Sequence, residues 1–358
     1  MEKSIIQFTE VLKKSERTYI PLYCTGYPEH AFMENYLEQY GIKSDENDNF
    51  VLNGKDFSLI KNMGFDAVSL WDFRRGKTYS EYTPPKSDEK VDAWGRIIKN
   101  GWYSWDGVFK SERIVKDWSK LQPPEQNEID ILAHFLAQTY GIEFVLSLPG
   151  LFEKTWQSMG FLTFSKAFRQ NPALIRTVIN FFFDYILDLV GILQAAGAKI
   201  FLVADDMGYN QRNFIPKSYI KEFFLEKYRI IANSIHSHGN HLILHSDGYI
   251  DNIIDLFIEM GFDAVQSIEP NAGNDIFTLF ETYGDEICFI GNIDNGAMLT
   301  YAKSSEVRSY VQHLLHSAEE SHSRLVISPT QQINEILKPE NVYAMIKSVQ
   351  TYNKSLGM

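Results

Sequence analysis

The 358-residue sequence predicts an α/β protein closed into a (β/α)8 barrel, and three observations predict it. Eight short apolar runs have strand character, helical periodicities separate most of them, and several runs end abruptly in acids or histidine. Strands at the centre of a parallel sheet are apolar throughout because both of their faces are covered. Alternation of strand and helix implies parallel pairing with right-handed crossovers, and eight strands are enough to close the sheet on itself.

The runs are RTYIPLY (17–23), DAVSL (66–70), IEFVLSL (142–148), KIFLVA (199–204), HLILHS (241–246), DAVQSI (263–268), ICFIG (287–291) and RLVIS (324–328). Ahead of them MEKSIIQFTEVLKKSER forms an N-terminal extension, an amphipathic helix with Ile5, Ile6, Phe8, Val11 and Leu12 on one side. The segment from about 77 to 132, rich in Trp, Tyr, Pro and charge, fits no strand–helix unit. It reads as an insertion covering one mouth of the barrel. The clearest helix opens at Asn171-Pro172, an N-cap followed by proline at the first helical position, and Gly197 closes it. Its Ile175, Val178, Phe182, Ile186, Leu189, Val190 and Leu193 recur at helical spacing. A second helix follows Ser218, with Ile220, Phe223, Phe224, Tyr228, Ile231 and Ile235 on one face and Gly239 at its end. A third is DNIIDLFIEMG, 251–261. No repeat or linker divides the chain, so residues 1–358 read as one TIM-barrel domain.

Composition removes several function classes. With 44% hydrophobic and 14% aromatic residues the chain can bury a sizeable core. The balance of 34 basic against 46 acidic residues argues against a nucleic-acid partner, which needs a basic patch. No G-x-G-x-x-G follows the first strand and no phosphate-binding G-x-x-x-x-G-K-[ST] occurs, which disfavours an open nucleotide-binding sheet. Cys24 and Cys288 both lie in apolar runs. A disulfide framework is excluded, and a reducing, cytoplasmic compartment is expected. The greasiest run, Val178 to Leu193, is interrupted by Asn180, Asp184 and Asp188, so no membrane span is expected. The N-terminus lacks the apolar core and cleavage site of a signal peptide.

A barrel of this kind collects its active site at the C-terminal ends of its strands. Those ends supply Trp71 and Asp72; Pro149, Gly150 and Glu153; Asp205 and Asp206; His245 and Asp247; Gln266, Ser267 and Glu269; Asn292 and Asp294; and Gln331 and Gln332. Any one acid among them reads more naturally as a helix cap or a loop brace. Together they bring carboxylates and an imidazole to one mouth, where like charges raise one another's pKa. His245-Ser246-Asp247 is the sharpest element, because residues i and i+2 of an extended segment point the same way. They can converge on a metal ion or on a substrate proton. His236, His238 and His241 straddle a helix end and a Gly-Asn turn and read as solvated.

From Gly141 onwards the chain resembles the uroporphyrinogen decarboxylase superfamily, especially its corrinoid-dependent methyltransferases. The stretches that carry the resemblance are LPGLFEKTWQSMGF (148–161), VADDMG with the following FIPKSYIKEFF, and IHSHGNHLILHSDGYI. They continue with MGFDAVQSIEP, GDEICFIGNID and LKPENVYAMI, with weaker matches at MGFDAVSLWD (63–72) and DAWGRIIKNGWY (92–103). The resemblance implies a TIM barrel with its site at the C-terminal mouth. Two departures narrow the chemistry. The decarboxylase has an arginine-rich turn after its first strand, where this chain has PLYCTGYPEH, and a histidine shortly before the PEN element, where this chain has Gln331. A tetrapyrrole with many carboxylates would find almost no cationic partners here. The methyltransferases bind zinc through His-x-Cys and a later cysteine, positions that fall on His245, Asp247 and Gln331. Loss of both thiolates favours a methyl group borne on oxygen or nitrogen over one borne on sulfur.

The resemblance therefore implies a methyltransferase-like enzyme that moves a methyl group between a small substrate and a corrinoid protein. His245, Asp206 and Glu269 are its expected catalytic residues, and His245 and Asp247 its expected ligands to Zn2+. Trp71, Asp72, Trp156, Asp205, Ser267, Asn292, Asp294 and Gln331 are expected to shape the substrate pocket. Two alternatives stand beside this reading. One is a decarboxylase of a uroporphyrinogen-like or smaller acid, with Asp72 or Asp206 handling the proton. The other is a non-catalytic barrel that binds a tetrapyrrole or corrinoid.

Overall fold

All eight apolar runs contribute to one parallel sheet in the computed structural model, which describes residues 7–13, 19–44, 50–70, 88–118, 121–138 and 140–357. The strands are β1 (Tyr23–Cys24), β2 (Ala67–Leu70), β3 (Glu143–Pro149), β4 (Ile200–Ala204), β5 (His241–Ser246), β6 (Ala264–Ser267), β7 (Cys288–Ile293) and β8 (Leu325–Pro329). Each pairs in parallel with the next. A parallel bridge between Leu22 and Ile327 joins the first strand to the last, and the Ile327 amide donates to the Pro21 carbonyl at 3.0 Å. The barrel is closed, as the strand count predicts.

Inward positions follow the two-residue period of a strand. Deep in the barrel they are apolar: Ala67, Val145, Ile200, Leu202, Ile243, Ala264, Cys288, Ile290 and Val326 pack as one cluster. Helix Gln7–Leu12 plugs the N-terminal end, adding Phe8 and Leu12 to that cluster. The Phe8 ring lies 5.8 Å from that of Tyr23, and buried Arg324 donates to the Leu12 carbonyl at 2.6 Å. Two residues further along the same rows the inward side chains become Ser69, Ser147, His245, Gln266 and Ser328, all buried. The barrel is thus apolar at one end and polar at the other, and the polar end is where chemistry can be held.

The crossover from β3 to β4 contains helix Pro172–Ala195. Asn171 caps it by accepting from the Leu174 amide at 3.2 Å. Its flanks extend the apolar run to a length and composition that would cross a membrane, the one such helix among the described residues. Leu174, Val178, Phe182, Ile186, Leu189 and Leu193 are nonetheless buried in the barrel shell, which fixes it as a packed crossover helix. The second expected helix is broken at Phe224 into Lys217–Phe223 and Leu225–His236. The third opens as a 3-10 turn, Asp251–Ile253, before helix Ile254–Met260.

The three histidines expected in solvent are not alike. His241 is the first residue of β5 and only 8% exposed, with Nδ1 3.7 Å from Asp263. His236 Nε2 bonds to the same carboxylate at 2.9 Å. The carboxylate that opens β6 draws both in, and the sequence pattern around the Gly-Asn turn gave no sign of it.

The insertion is a three-stranded antiparallel sheet, Glu89–Val91, Arg96–Lys99 and Trp102–Gly107, that packs on helix Leu151–Met159 beside the C-terminal mouth. The Phe109 amide donates to the Ser158 carbonyl at 2.9 Å, and the Tyr103 hydroxyl to the Gln157 carbonyl at 3.2 Å. The far boundary read at 132 falls inside helix Gln126–Leu136, whose Phe135 ring lies 4.9 Å from Phe144 of β3. That helix belongs to the barrel shell. Trp71 and Asp72 lie outside the described residues.

Candidate active site at the barrel mouth

β4 ends at Ala204, and the two acids that follow it point different ways. Asp205 is fully buried and accepts from the Phe152 amide at 3.0 Å, the Glu153 amide at 2.6 Å and the Tyr228 hydroxyl. It anchors the N-terminus of helix Leu151–Met159, and a Cβ on Gly150 would collide with its carboxylate. Burial pushes its pKa up to about 7. Asp205, expected among the substrate-pocket residues, is buried beneath the mouth and positions the helix that carries Glu153 and Trp156.

Asp206 turns into the mouth and meets the end of β5. Asp206, His245 and Asp247 each offer one donor atom, and these atoms lie within 4.8 Å of one another. His245 Nε2 is 3.5 Å from Asp247 Oδ1 and 3.9 Å from Asp206 Oδ1, while the Asp247 amide donates to Asp206 Oδ1 at 2.9 Å. Gln266 sets the state of the imidazole. Its Nε2 donates to the Thr330 carbonyl at 3.1 Å, an acceptor that fixes the amide's orientation, so its Oε1 faces His245 Nδ1. Nδ1 therefore carries a hydrogen and Nε2 faces the carboxylates.

A second layer of groups surrounds Asp247. Its Oδ1 accepts from Gln331 Nε2 at 2.7 Å and from Ser267 Oγ at 3.1 Å. Gln331 Nε2 also reaches Glu269 Oε1 at 3.3 Å, and Glu269 Oε2 accepts from the Gly248 amide at 2.9 Å. Gln331 thus turns its amide nitrogen towards the acids. Burial, then the charge of Asp247, pushes Asp206 up to about 7 and raises Glu269. Burial alone would lower His245, but Asp247, Asp206 and the Gln266 bond outweigh it and hold its pKa above the ordinary value. Asp206 and His245 thus hold protons more readily than their ordinary forms, and a cation can displace such protons.

Above the cluster opens a cavity of about 1200 Å3, whose lining includes Glu153, Asp206, Asp247 and Glu269. Its other side is aromatic. The Trp105 and Trp156 rings are 5.1 Å apart, Tyr103 lies 5.5 Å from Trp156, and Phe214 packs 4.9 Å from Trp156. Two arginines also line it. Arg96 is held by Asp92 at 2.6 Å and Gln157 at 3.1 Å, whereas Arg212 is exposed. Two further expected pocket residues are used elsewhere. Asn292 donates to the Ile268 carbonyl at 3.0 Å and accepts from Tyr310 at 2.8 Å. Asp294 accepts from Asn271 at 2.7 Å and caps the turn Asn295–Tyr301. Both brace loops.

Sequence reasoning missed the partner role of Gln266, the Tyr228–Asp205 contact, and the cavity residues Arg96, Tyr103, Trp105 and Arg212. One signal was there to be read: Asn100-Gly101 is a two-residue hairpin turn between Arg96–Lys99 and Trp102–Gly107, with both residues at positive φ.

No curated protein matches the chain by sequence. Among solved structures, a methyltransferase from Methanosarcina mazei aligns over 97% of this chain and 98% of its own, at 15% identity and a TM-score of 0.68, a likeness of fold. The 3-keto-D-glucoside 4-epimerase YcjR from E. coli covers 95% of this chain and 100% of its own, at 10% identity and a TM-score of 0.45. The profile described as Uroporphyrinogen decarboxylase (URO-D) matches residues 154–352, a span that holds Asp206, His245, Asp247, Glu269 and Gln331. With more than half of its sequence inside that match, the chain belongs to the uroporphyrinogen decarboxylase family.

Proposed function

We propose that this family member is a methyltransferase-type enzyme that moves a methyl group between a small substrate and a corrinoid carried by a partner protein. The observation that carries the reading is the convergence of Asp206, His245 and Asp247 at the floor of the cavity. An oxygen, nitrogen, oxygen donor set suits Zn2+, and His245 is already oriented by a bond to its far nitrogen, as metal-binding histidines usually are. Bound there, zinc would supply Lewis acidity to the heteroatom that bears the methyl group, and a reduced corrinoid would supply the nucleophile. The chain's own residues do the rest. Gln266 keeps His245 Nε2 turned to the mouth, and Gln331 and Ser267 hold Asp247 in place. Glu269, its pKa raised by burial and by the charge of Asp247, is the acid beside the cluster that would donate to a departing oxygen or nitrogen.

Charge disfavours the haem-pathway reaction. Four carboxylates and two arginines line the cavity, and Arg96 is already committed to Asp92. A substrate with many carboxylates would be repelled.

The test uses protein purified without chelator, beside His245→Ala. Near-stoichiometric zinc in the parent, lost in the variant, is the expected result. So is donor-dependent consumption of cob(I)alamin with a panel of O-methyl and N-methyl compounds. Metal-free parent protein that transfers no methyl group, or that releases CO2 from small acids, overturns the proposal.

A further inference from the structure

Resting on the methyl-transfer reading above, we infer that the substrate is a betaine-type quaternary ammonium compound, its ammonium against the Trp105–Trp156 wall and its carboxylate towards Arg212. The wall has the chemistry for a methylated cation. Indole rings attract a cation over their faces, and a quaternary ammonium has no N–H groups in need of acceptors. Trp105 sits in left-handed backbone (φ +62°), a conformation bulky residues avoid, and the residue is 52% exposed beside the cavity. The exposed surface of Trp105 is thus available to a ligand in the cavity.

Charge agrees at both ends. The side chains that face the rings from the cavity floor and one side, Glu153, Asp206, Asp247 and Glu269, are carboxylates and not cations, so none of them opposes an ammonium at the rings. Arg212 lines the cavity and is exposed, and its guanidinium has no hydrogen-bond or ion-pair partner among the described residues. It stands with Trp105 and Phe214 in an adjoining cleft as well, so a carboxylate can reach it from the aromatic wall. Transfer balances without an added proton. A quaternary nitrogen has no lone pair to offer zinc, and its own positive charge makes it the leaving group: the N–CH3 bond breaks with its electron pair left on nitrogen, the methyl carbon bonds to the corrinoid nucleophile, and the product is a neutral tertiary amine. Loss of the positive charge also loosens the product from the rings.

Calorimetric titration of the full chain, without any methyl acceptor, tests this apart from turnover. The probes are glycine betaine, choline and 3,3-dimethylbutyrate, the uncharged-carbon isostere of betaine. Betaine should bind about 3- to 30-fold more tightly than the isostere. Arg212→Gln, a rim change that does not touch the core, should weaken betaine towards the level of choline and leave choline unchanged. Trp105→Leu should weaken both. Equal binding of betaine and its isostere, no heat with betaine at millimolar concentration, or an Arg212→Gln protein unchanged towards betaine overturns the inference. Methyl transfer from other donors would still stand in each of those cases.

Discussion

Asp263→Asn should destabilise the protein in a pH-dependent way. Asp263 opens β6 at the end of the barrel opposite the active-site mouth. It accepts from the Leu242 amide at 2.7 Å and from His236 at 2.9 Å, with His241 at 3.7 Å. Burial alone would raise its pKa, but the two histidines and the amide reverse this and lower it from 3.8 to about 2. At about 1.4 kcal/mol per pH unit that difference is worth on the order of 2 kcal/mol. The folded pKa is depressed, so the contribution is present above about pH 4 and is lost as pH falls through about 2. His236 is raised by the same contact, so its share is present below its ordinary pKa of 6.5 and is lost as pH rises through its folded value. The effect is therefore largest between about pH 4 and 6.5. For a chain of 358 residues, an unfolding entropy near 2.1 cal/mol/K per residue turns 2 kcal/mol into roughly 3 °C of Tm. Urea denaturation of both proteins from pH 3 to pH 8 reads it out. A stability gap that is constant across that range, or absent at pH 5, would refute the reasoning.

Two more outcomes follow from the site. Gln266→Leu removes the acceptor of His245 Nδ1–H and should weaken zinc about 10- to 100-fold in competition with a chromogenic chelator; parent-like affinity would show that the bond does not orient the ring. Uroporphyrinogen incubated anaerobically with the protein should be recovered unchanged, because its carboxylates face a cavity with one uncommitted arginine; stepwise loss of its carboxylates would reverse that conclusion.

The barrel was legible because strands covered on both faces leave a plain trace, and His245 and Asp247 were legible because a period of two holds along β5. The pair Asp205-Asp206 marks where this stops. Once a strand ends, the direction of each side chain depends on partners far away in sequence, here Tyr228 and the helix at Phe152. Asn292, still inside β7, and Asp294, just past its end, are likewise held by partners distant in sequence, Tyr310 and Asn271. His241 escaped notice because a strand start beside a turn looks polar until Asp263 is known to face it. The aromatic wall needed the fold, since only the packing of the insertion on helix Leu151–Met159 brings Trp105 to Trp156.

Tyr103 and Trp105 belong to a segment spliced between β2 and the helix that follows it, while the acids and His245 sit on the strand ends themselves. On the reading proposed above, part of the recognition surface is therefore carried by a stretch of chain separate from the reactive groups, the two meeting across a shared space. A library confined to residues 96–107 could redirect which compound is accepted while every reactive group keeps its support, and the barrel beneath would serve as an unchanging chassis for exchangeable selectivity.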